Sequence, residues 1–563
     1  MLDIKKVPFS RYGSFITISQ NHHETGDDSL YIRNIRNGDN DFGAVFRIEL
    51  IKDSGTVPYT AGLTPSVLRL NAEFGFAEFC ITERKVLQIK SKGVGVRLIG
   101  ITGVYDYAVK VEQNRWEVNH SSQEIRYLLT TITGNMTVEA PFKEQRCEKI
   151  VVDFLPDSSV SEMECAIEEF TTIYAHRSYL LFSEGQNRVQ AEFDYWYANT
   201  LEMPERYRDG RLLASYITWS CVVPPEGMLT RPAMYMSKNW MTNIWSWDHC
   251  FNAIALAKKS PELAWDQFLI FFDLQDVSGV LPDFVNNRYA LWNFTKPPIH
   301  GWTLRKLMEK TDHVTLEKLQ EVYEPLVKWT NWWIQFQDTD CDGIPQYNHG
   351  NDSGWDNSTI FHKGTPVESP DLTSFLVIQM DVLADVAEKL NKDVEAARWR
   401  QRSQEMLTRM ISHFWKGNRF IALKSGTHEP IHSNSLVVYM PLILGKRLPD
   451  EIVNQLVMDI KYKGFLTEHG LATELPSSPY YRNDGYWRGP IWAPTTMLLV
   501  DGLLSAGERE LALDIAERFC EMATNAGMAE NFDAMTGESL RDPAFTWTSS
   551  VFLMLGDLLK EAF

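Results

Sequence analysis

The sequence is poor in cysteine, has no excess of basic residues and contains no long apolar run. Its seven cysteines are scattered over 563 residues with no CxxC pair, which is typical of reduced thiols and not of a disulfide framework. No stretch approaches the ~20 consecutive apolar residues of a transmembrane helix, and the first residues lack the apolar core of a secretory signal. We therefore predict a cytoplasmic, soluble protein without a membrane partner.

The shortage of positive charge bears on the partners of the protein. The formal net charge is −19, from 74 acidic and 55 basic residues, whereas a protein that binds a phosphate backbone needs a basic face. Nucleic acid is therefore not an expected partner. The hydrophobic share of 44% and the charged share of 23% match an ordinary globular chain with a large core. The sequence leaves the oligomeric state open.

Residues 10 to 180 return repeatedly to short runs in which apolar and polar residues alternate. A period of two, with polar turns between the runs, marks half-buried antiparallel strands. We predict an N-terminal antiparallel β-sandwich domain over residues 1–185. The runs that carry this prediction are 14–19, 45–51, 86–89, 96–101 and 149–154.

From about residue 190 the period becomes helical. Several helical stretches come as close pairs with short links, which makes them antiparallel neighbours. Twelve stretches in six hairpins predict an (α/α)6 barrel as the catalytic domain, over residues 186–563, with the loops at one end forming a funnel. The stretches are 209–222, 248–258, 261–274, 299–311, 315–337, 371–391, 393–415, 432–444, 449–459, 489–506, 507–525 and 543–562.

Two acidic residues lie in small, polar segments between predicted helices. Asp356 stands in the segment DSGWDNST, and Glu530 opens the segment ENFDAMTGE. Hydrolysis of a glycosidic bond by inversion needs a carboxylic acid that protonates the leaving oxygen and a carboxylate that activates water. We interpret Asp356 as the candidate acid, because the neighbouring Trp355 could raise its pKa by removing water, and Glu530 as the candidate base.

Each acid has an alternative explanation. Asp352 or Asp356 could cap a helix or close an Asx-turn, as short acidic side chains commonly do. Asp533 and Glu538 lie in the same loop as Glu530 and rival it for the role of base.

The chain contains eighteen tryptophans, several of them in the loop segments. Sugars stack their apolar faces on indole rings, while side-chain amides and acids bind the hydroxyl groups. We therefore predict a saccharide pocket in these loops, whereas the adjacent pair Trp332 and Trp333 is typical of a helical core. The loop residues are Trp245, Trp247, Trp292, Trp302, Trp355, Trp487, Trp492 and Trp547, beside Asp248, Asn293, Asn357 and Arg488.

Several uncommon strings, taken in order, resemble glycoside hydrolase family 63 and its relatives, the trehalases and the glycogen-debranching glucosidases, which are inverting enzymes of the (α/α)6 class. The strings are WSWD at 245–248, KPP at 296–298, SGWDNS at 353–358, YWRGPIW at 486–492 and ENFDAMTGE at 530–538. The resemblance implies that Asp356 is the general acid and Glu530 the general base. It also implies a sugar site formed by Trp245, Trp247, Asp248, Gly354, Tyr486, Trp487, Arg488 and Trp547.

The chain departs from this resemblance before the proline pair, where these enzymes often have glutamine and this chain has Lys296. The lysine could favour an anionic substrate, or it could point into solvent. The strict trehalase signatures are absent, so trehalose is not the expected substrate.

The function that this resemblance implies is exo-acting, inverting hydrolysis of a terminal α-linked glucose or mannose from a small glycoside or oligosaccharide, without a cofactor. Inversion through water predicts that the carboxyl groups of Asp356 and Glu530 lie roughly 6.5 to 9.5 Å apart. Two alternatives are a polysaccharide lyase or sugar epimerase on the same toroid, and a non-catalytic carbohydrate-binding protein.

Residues 338–343, DTDCDG, imitate the opening of a calcium-binding loop, with acids at its first, third and fifth places. The twelfth place, normally glutamate, is His349, so the imitation is incomplete and a structural Ca²⁺ competes with a simple polar turn. Three other histidines, His249, His300 and His362, lack the spacing of metal ligands, so we expect no catalytic metal.

Overall fold

Two antiparallel eight-stranded sheets form the N-terminal region of the computed structural model, which describes residues 2–20, 28–53 and 55–562. The strands of this region are β1 (Phe9–Ser10), β2 (Ile16–Gln20), β3 (Leu30–Asn34), β4 (Ala44–Lys52), β5 (Gly55–Val57), β6 (Thr60–Leu63), β7 (Leu68–Ala72), β8 (Gly75–Glu83), β9 (Val86–Lys92), β10 (Gly95–Gly100), β11 (Tyr107–Glu112), β12 (Arg115–His120), β13 (Ile125–Thr133), β14 (Asn135–Glu139), β15 (Phe142–Lys143), β16 (Arg146–Cys147), β17 (Val151–Leu155) and β18 (Glu162–Phe170).

The two sheets share one apolar core. One has the order β1-β2-β3-β4-β10-β17-β14, with β5 paired to β4, and the other has the order β11-β12-β13-β18-β9-β8-β7-β6. The alternation that identified the strands is visible in β17, where Val152 and Phe154 are buried between partly exposed neighbours. The predicted antiparallel β-sandwich is confirmed, and each of the five predicted runs overlaps an observed strand.

The rest of the chain is helical. Its α-helices are α1 (Phe182–Ala198), α2 (Arg208–Ser220), α3 (Asp248–Leu256), α4 (Pro261–Leu269), α5 (His300–Lys310), α6 (Leu316–Phe336), α7 (Pro370–Lys389), α8 (Asp393–Phe414), α9 (Asp450–Tyr462), α10 (Ala493–Ala506), α11 (Arg509–Ala526) and α12 (Thr546–Ala562), and a 3-10 helix spans Leu436–Arg447.

Six of these elements close a ring. Helix α3 contacts α5, α5 contacts α7, α7 contacts the 3-10 helix, which contacts α10, and α10 contacts α12, which returns to α3. The helices that precede these six in the chain, namely α2, α4, α6, α8, α9 and α11, pack on the outside of the ring. This double ring is the predicted (α/α)6 barrel.

Apolar patterning explains which helices lie inside. The inner helix α7 is buried along most of its length, including the polar side chains of Thr373 and Gln379. The outer helix α8 buries a single stripe that includes Ala396, Trp399 and Met406, the spacing of three and four residues expected of a surface helix. The inner helix α7 is thus buried on all sides and the outer helix α8 on one side, which distinguishes the inner ring from the outer ring.

Two helical elements differ from the sequence prediction, and the first is α1, which none of the twelve predicted stretches covers. The stretch predicted as a helix at 432–444 is a 3-10 helix that begins at Leu436, and it contains Pro441, which cannot donate a backbone hydrogen bond. The predicted domain limit at 185 lies inside α1, a helix that packs on β8 of the sandwich. The outer limits, Met1 and Phe563, lie outside the described residues.

Short strands brace the loops of the helical region. They are β19 (Val222–Val223), β20 (Ala233–Met234), β21 (Ile244–Trp245), β22 (Phe284–Val285), β23 (Ala290–Leu291), β24 (Gln346–Tyr347), β25 (Val367–Glu368), β26 (Ala422–Lys424), β27 (Glu429–Ile431), β28 (Asn531–Phe532) and β29 (Ser539–Leu540). Within the described part of the chain, no helix combines the length and the apolar character needed to cross a bilayer.

The sandwich supports one of these loops directly. Lys238, which precedes α3, donates hydrogen bonds from its Nζ atom to the carbonyl oxygen of Ser14 at 2.6 Å and to Ser10 Oγ at 3.0 Å. In return, Arg33 of β3 donates to the carbonyl oxygen of Lys238 at 2.8 Å. These contacts fix the segment that leads into residues 241–248.

Candidate active site

A cavity of about 270 Å³ opens where the loops before the inner helices converge. Its volume is just below the range of about 300 to 1,000 Å³ for drug-sized ligand sites and suits a single sugar ring. The lining residues come from five of the six loops that lead from an outer helix to the next inner helix, and from the first turns of α3 and α12. They are Met241, Trp245, Trp247, Asp248, Asp283, Phe284, Lys296, Asn351, Gly354, Asp356, Tyr486, Trp487, Glu530, Phe545 and Trp547.

Asp356 lies in the loop between β24 and β25 and faces this cavity. Burial raises the pKa of its carboxyl group, and Lys296 opposes that rise. Asp352 makes the capping contacts instead: its Oδ2 accepts from the backbone N–H of His349 at 2.9 Å. The capping alternative therefore applies to Asp352, and Asp356 projects into the cavity.

Gly354 permits a close approach between the acid loop and the aromatic wall. Its φ is +71°, in the left-handed region that favours glycine. A Cβ atom at this position would lie 2.5 Å from Cζ2 of Trp247, which is closer than van der Waals contact allows. The glycine thus lets Trp247 pack against the backbone two residues before Asp356.

Glu530 faces the same cavity from the loop between α11 and α12. Burial, reinforced by the negative charge of Asp542, raises the pKa of its carboxyl group to about 8, and a hydrogen bond from the Tyr486 hydroxyl moderates that rise. The backbone is held in place because the N–H of Glu530 donates to the carbonyl oxygen of Asp542 at 2.7 Å. This carboxyl group is therefore a strong base once ionised.

The two rivals of Glu530 lie elsewhere. Asp533 accepts hydrogen bonds from the backbone N–H of Met535 at 2.7 Å and from Asn483 Nδ2 at 2.8 Å, so it closes the turn. Glu538 is exposed. Of Glu530, Asp533 and Glu538, only Glu530 lines the cavity.

Lys296 is buried in the cavity wall, and its expected alternative position in solvent is wrong. Its Nζ lies 2.8 Å from Asp283 Oδ1, and it donates to the carbonyl oxygen and to Oδ1 of Asn351 at 2.8 and 2.6 Å. Burial alone would lower its pKa, but Asp283, Asp356 and Asp248 together raise it. Because its Nζ is ion-paired with Asp283 and hydrogen-bonded twice to Asn351, Lys296 already has buried partners within the cavity wall.

Asp248 adds another acid to the cavity, at the first residue of α3. Burial raises the pKa of Asp248 well above its usual range, Lys296 opposes this, and Asp283 adds to it. The lining residues therefore carry four carboxyl groups and one ammonium group. This excess of acid suits a neutral polyhydroxylated ring better than an anionic one.

The aromatic wall has two layers, one that lines the cavity and one that packs behind it. Trp245, Trp247, Trp487 and Trp547 line the cavity, and β21 pairs with β22 so that Trp245 lies opposite Phe284. These indole rings make the lining apolar and aromatic, a surface suited to the apolar side of a sugar.

Four predicted sugar contacts do not line the cavity. Trp492 stacks behind Trp487 with ring centroids 3.9 Å apart, and Trp355 packs on the same ring at 5.0 Å. Asn357 Oδ1 accepts from the backbone N–H of Trp487 at 2.9 Å, and the N–H of Arg488 donates to the carbonyl oxygen of Gly485 at 3.2 Å. These side chains and backbone groups shape the turn that presents Tyr486 and Trp487.

Two further tryptophans of the predicted pocket also lie outside it. Trp302 is buried in α5 and donates to Asp501 at 2.7 Å, and Trp292 is 45% exposed.

Five lining residues were not predicted: Met241, Asp283, Phe284, Asn351 and Phe545. Asp283 had one available signal, because it lies in the long non-periodic segment that also contains Lys296. A buried lysine needs an acidic partner, so Lys296 in the cavity implies an acid such as Asp283.

His249 and His300, which are 51 positions apart, meet behind the cavity with ring centroids 5.2 Å apart. With Cys250 they form a fully buried group of potential ligand atoms. Burial lowers the pKa of His249 to about 3, and His300 accepts a hydrogen bond from Trp329 Nε1 at 3.1 Å. We interpret both rings as neutral packing groups, and His249 Nδ1 also lies 3.1 Å from the carbonyl oxygen of Trp245.

Comparison with known proteins bears on the family and the fold. The family model of the mannosylglycerate hydrolase MGH1-like glycoside hydrolase domain matches residues 241–548, more than half of the chain. Mannosylglycerate hydrolase MGH2 of Selaginella moellendorffii is 20% identical over 389 residues, which are 55% of this chain and 79% of that protein.

Two solved structures share the fold. A bacterial glucoamylase complexed with acarbose has a TM-score of 0.62 at 12% identity. The match covers 100% of this chain and 94% of the glucoamylase chain. The GH63 mannosylglycerate hydrolase from Thermus thermophilus in complex with Tris has a TM-score of 0.54 at 19% identity. This match covers 60% of this chain and 98% of the hydrolase chain. The first match includes the sandwich as well as the double ring of helices.

Proposed function

The chain belongs to the mannosylglycerate hydrolase MGH1-like glycoside hydrolase domain family, and on that premise we propose that it is an inverting, exo-acting α-glycosidase. The substrate is a small glycoside or oligosaccharide with a terminal α-linked glucose or mannose. The observation that carries this proposal is that Asp356 and Glu530 face one small cavity whose wall is aromatic.

Asp356 acts as the general acid in this proposal. Its buried carboxyl group, with a raised pKa, transfers a proton to the glycosidic oxygen as the bond to the anomeric carbon breaks. The alcohol leaves in neutral form, and Asp356 becomes a carboxylate that Lys296 stabilises by its positive charge.

Glu530 acts as the general base. It takes a proton from a water molecule, whose oxygen attacks the anomeric carbon from the face opposite the leaving group, so the α-linkage yields a β-sugar. Its pKa of about 8 means that the ionised fraction of Glu530, which is the form that accepts a proton, grows as pH rises toward 8. The two proton transfers balance, because one carboxyl group loses a proton while the other gains one.

The small volume supports exo-action. A cavity of about 270 Å³ holds one sugar ring, and the rest of the substrate lies at its open end. Asp248 and Asp283 provide acceptors for sugar hydroxyl groups, and Trp247 and Trp487 provide apolar faces.

The name mannosylglycerate hydrolase given to the relative brings a carboxylate-bearing aglycone into consideration. Lys296, however, is held by Asp283 and Asn351. We therefore propose that the protein recognises its substrate through the neutral sugar ring.

All seven cysteines are free thiols, which supports the cytoplasm as the location of the protein.

A lyase or epimerase must remove a carbon-bound proton and relies on His, Tyr or Arg for that step. Of these three residue types, the described lining residues contain one, Tyr486, which is engaged with Glu530. Family membership and this lining both favour hydrolysis.

The test is a product screen with α- and β-linked glucosides and mannosides, including glycerate glycosides. We expect a free monosaccharide from at least one α-linked compound and none from its β-linked counterpart. An unsaturated or epimerised sugar, or release from β-linked compounds alone, contradicts the proposal.

A further inference from the structure

Two histidines and two acids from separate segments meet outside the sugar cavity. They are Asp342 of the loop after α6, Glu368 of β25, His413 near the end of α8 and His428 of the turn between β26 and β27. One ligand atom from each lies within 4.8 Å of all the others. None of the four lines the sugar cavity.

The distances within the cluster are short. His413 Nε2 lies 2.6 Å from Glu368 Oε2 and 3.8 Å from Asp342 Oδ2. His428 Nε2 lies 3.1 Å from Asp340 Oδ2, 3.4 Å from Asp342 Oδ2 and 3.8 Å from Glu368 Oε1. Tetrahedral coordination with bonds of about 2.0 to 2.2 Å separates neighbouring ligand atoms by roughly 3.4 Å, so small side-chain movements bring this group to that geometry.

Glu368 gives independent evidence for a ligand. Its side chain is 0% exposed, and its Oε1 atom is buried without a hydrogen-bond partner. A buried carboxylate oxygen without a partner is costly, and this one points toward His428. A cation between them would satisfy it.

The acidic loop is oriented toward the same point. The backbone N–H of Ile344 donates to Asp342 Oδ1 at 2.7 Å, and that of Gly343 donates to Asp338 Oδ2 at 2.9 Å. Asp342 therefore keeps its Oδ2 atom directed at the histidines.

In the structure, as in the sequence, residues 338–343 match a calcium-binding loop only in part. His349, at the twelfth place, accepts a hydrogen bond on Nδ1 from the backbone N–H of Asn351 at 3.0 Å and takes no part in the cluster. A glutamate distant in sequence, Glu368, lies beside Asp342 instead.

We propose that Asp342, Glu368, His413 and His428 bind a divalent transition metal of the zinc class. Ca²⁺ takes six to eight oxygen ligands, whereas imidazole nitrogen is a ligand for Zn²⁺ and its neighbours in the first transition row. Four protein ligands without an open position are typical of a structural site.

The position of the cluster indicates what such a metal does. Strands β24 and β25 pair with each other, and the loop that carries Asp356 runs from one to the other. β25 also pairs with β26. The metal joins β25, the loop after α6, the end of α8 and the β26–β27 turn, and so stabilises the base of the acid loop without touching the sugar cavity.

The experiment uses the full chain, purified without a polyhistidine tag, and measures bound metal by mass spectrometry and binding of Zn²⁺ and Ca²⁺ to the chelated protein. We expect about one Zn²⁺ per chain, and intense visible absorption when Co²⁺ is bound in a tetrahedral site. His428→Gln, at a half-exposed position, and His413→Gln should each weaken Zn²⁺ binding by more than about 100-fold.

A matched control and a second variant make the outcome decisive. His432→Gln changes an exposed histidine near β27 that contacts Arg419 and should bind Zn²⁺ like the parent. Zn²⁺ should raise the melting temperature of the parent and not that of His428→Gln. The proposal is overturned if neither ion binds, or if Ca²⁺ binds in a manner that Asp338→Asn abolishes and His428→Gln leaves unchanged.

Discussion

Lys296 Nζ lies 2.8 Å from Asp283 Oδ1 within the wall of the sugar cavity, and both side chains are almost fully buried. The same ammonium group binds Asn351, which is five residues before the candidate acid. The pair therefore anchors the acid loop and neutralises part of the negative charge around it. This arrangement assigns Lys296 a positioning role.

Replacing Lys296 with Ala tests that role. The variant leaves Asp283 buried without its counter-ion, so we expect a loss of about 3 kcal/mol in the free energy of unfolding. We also expect kcat/KM to fall by a similar factor on neutral and on glycerate glycosides. The control is Lys363→Ala, whose partner Glu429 is exposed and which should change stability by less than about 1 kcal/mol. A loss confined to anionic substrates would show that Lys296 binds the substrate.

Replacing each of the two carboxyl groups by an amide, one at a time, distinguishes the acid from the base. Asp356→Asn should lower kcat/KM on an O-glycoside by about 10² to 10⁴ and should lose much less on an α-glycosyl fluoride, because fluoride leaves without protonation. Glu530→Gln should lose activity on both substrates, because water still has to be activated. The control Asp533→Asn changes a turn residue of the same loop and should keep most of the activity. Equal losses for Asp356→Asn on both substrates contradict its role as acid.

The raised pKa of Glu530 predicts how stability depends on pH. The folded chain holds this proton up to about pH 8, whereas an unfolded glutamate releases it near 4.5. Between these values the folded state binds more protons than the unfolded state, so stability falls as pH rises. Glu530 contributes up to about 5 kcal/mol to the free energy of unfolding. This contribution is fully present below pH 4.5 and is lost as pH rises to about 8.

Denaturant unfolding of the parent and of Glu530→Gln between pH 5 and pH 9 measures this effect. Asp248 and Asp356, whose pKa values are also raised, act in the same direction, so the difference between the two proteins isolates Glu530. We expect the variant to gain relative stability as pH rises. A difference that does not change with pH would show that the pKa of Glu530 is not raised.

Gly354→Ala tests the contact between the acid loop and the aromatic wall. The added Cβ meets Trp247 at 2.5 Å and the backbone has a φ of +71°, so we expect a loss of about 1 to 3 kcal/mol together with a large fall in kcat/KM. Gly364→Ala is the matched control, because its φ is +93° but nothing lies within 4 Å of the added atom. It should cost stability and leave kcat/KM close to that of the parent.

The sequence allowed the main elements to be predicted because they depend on local periodicity. The alternation around Val152 and Phe154 and the apolar stripe around Trp399 are properties of a few consecutive residues, and both elements form where expected. The 3-10 helix at Leu436 was expected as an ordinary helix, since Pro441 does not alter the apolar pattern around it.

The site was less predictable, because a cavity is formed by loops that are far apart in the chain. Trp487 and Trp492 are equally aromatic and lie in one string, yet the first lines the cavity and the second stacks behind it. Asp283 had only an indirect signal, its place in the segment that contains Lys296, because its position in the wall depends on the contact with that lysine. Likewise, Glu368 and His413 are 45 positions apart and become neighbours only through β25 and α8.

The most direct test of the account follows the anomeric protons by ¹H NMR during hydrolysis of an α-linked glucoside or mannoside. In the proposed mechanism Glu530 activates water on the face opposite the bond that Asp356 protonates, so we expect the β-sugar to accumulate first and to convert to the α-sugar only by slow mutarotation. If the α-sugar is released first, the inverting assignment of Asp356 and Glu530 is contradicted.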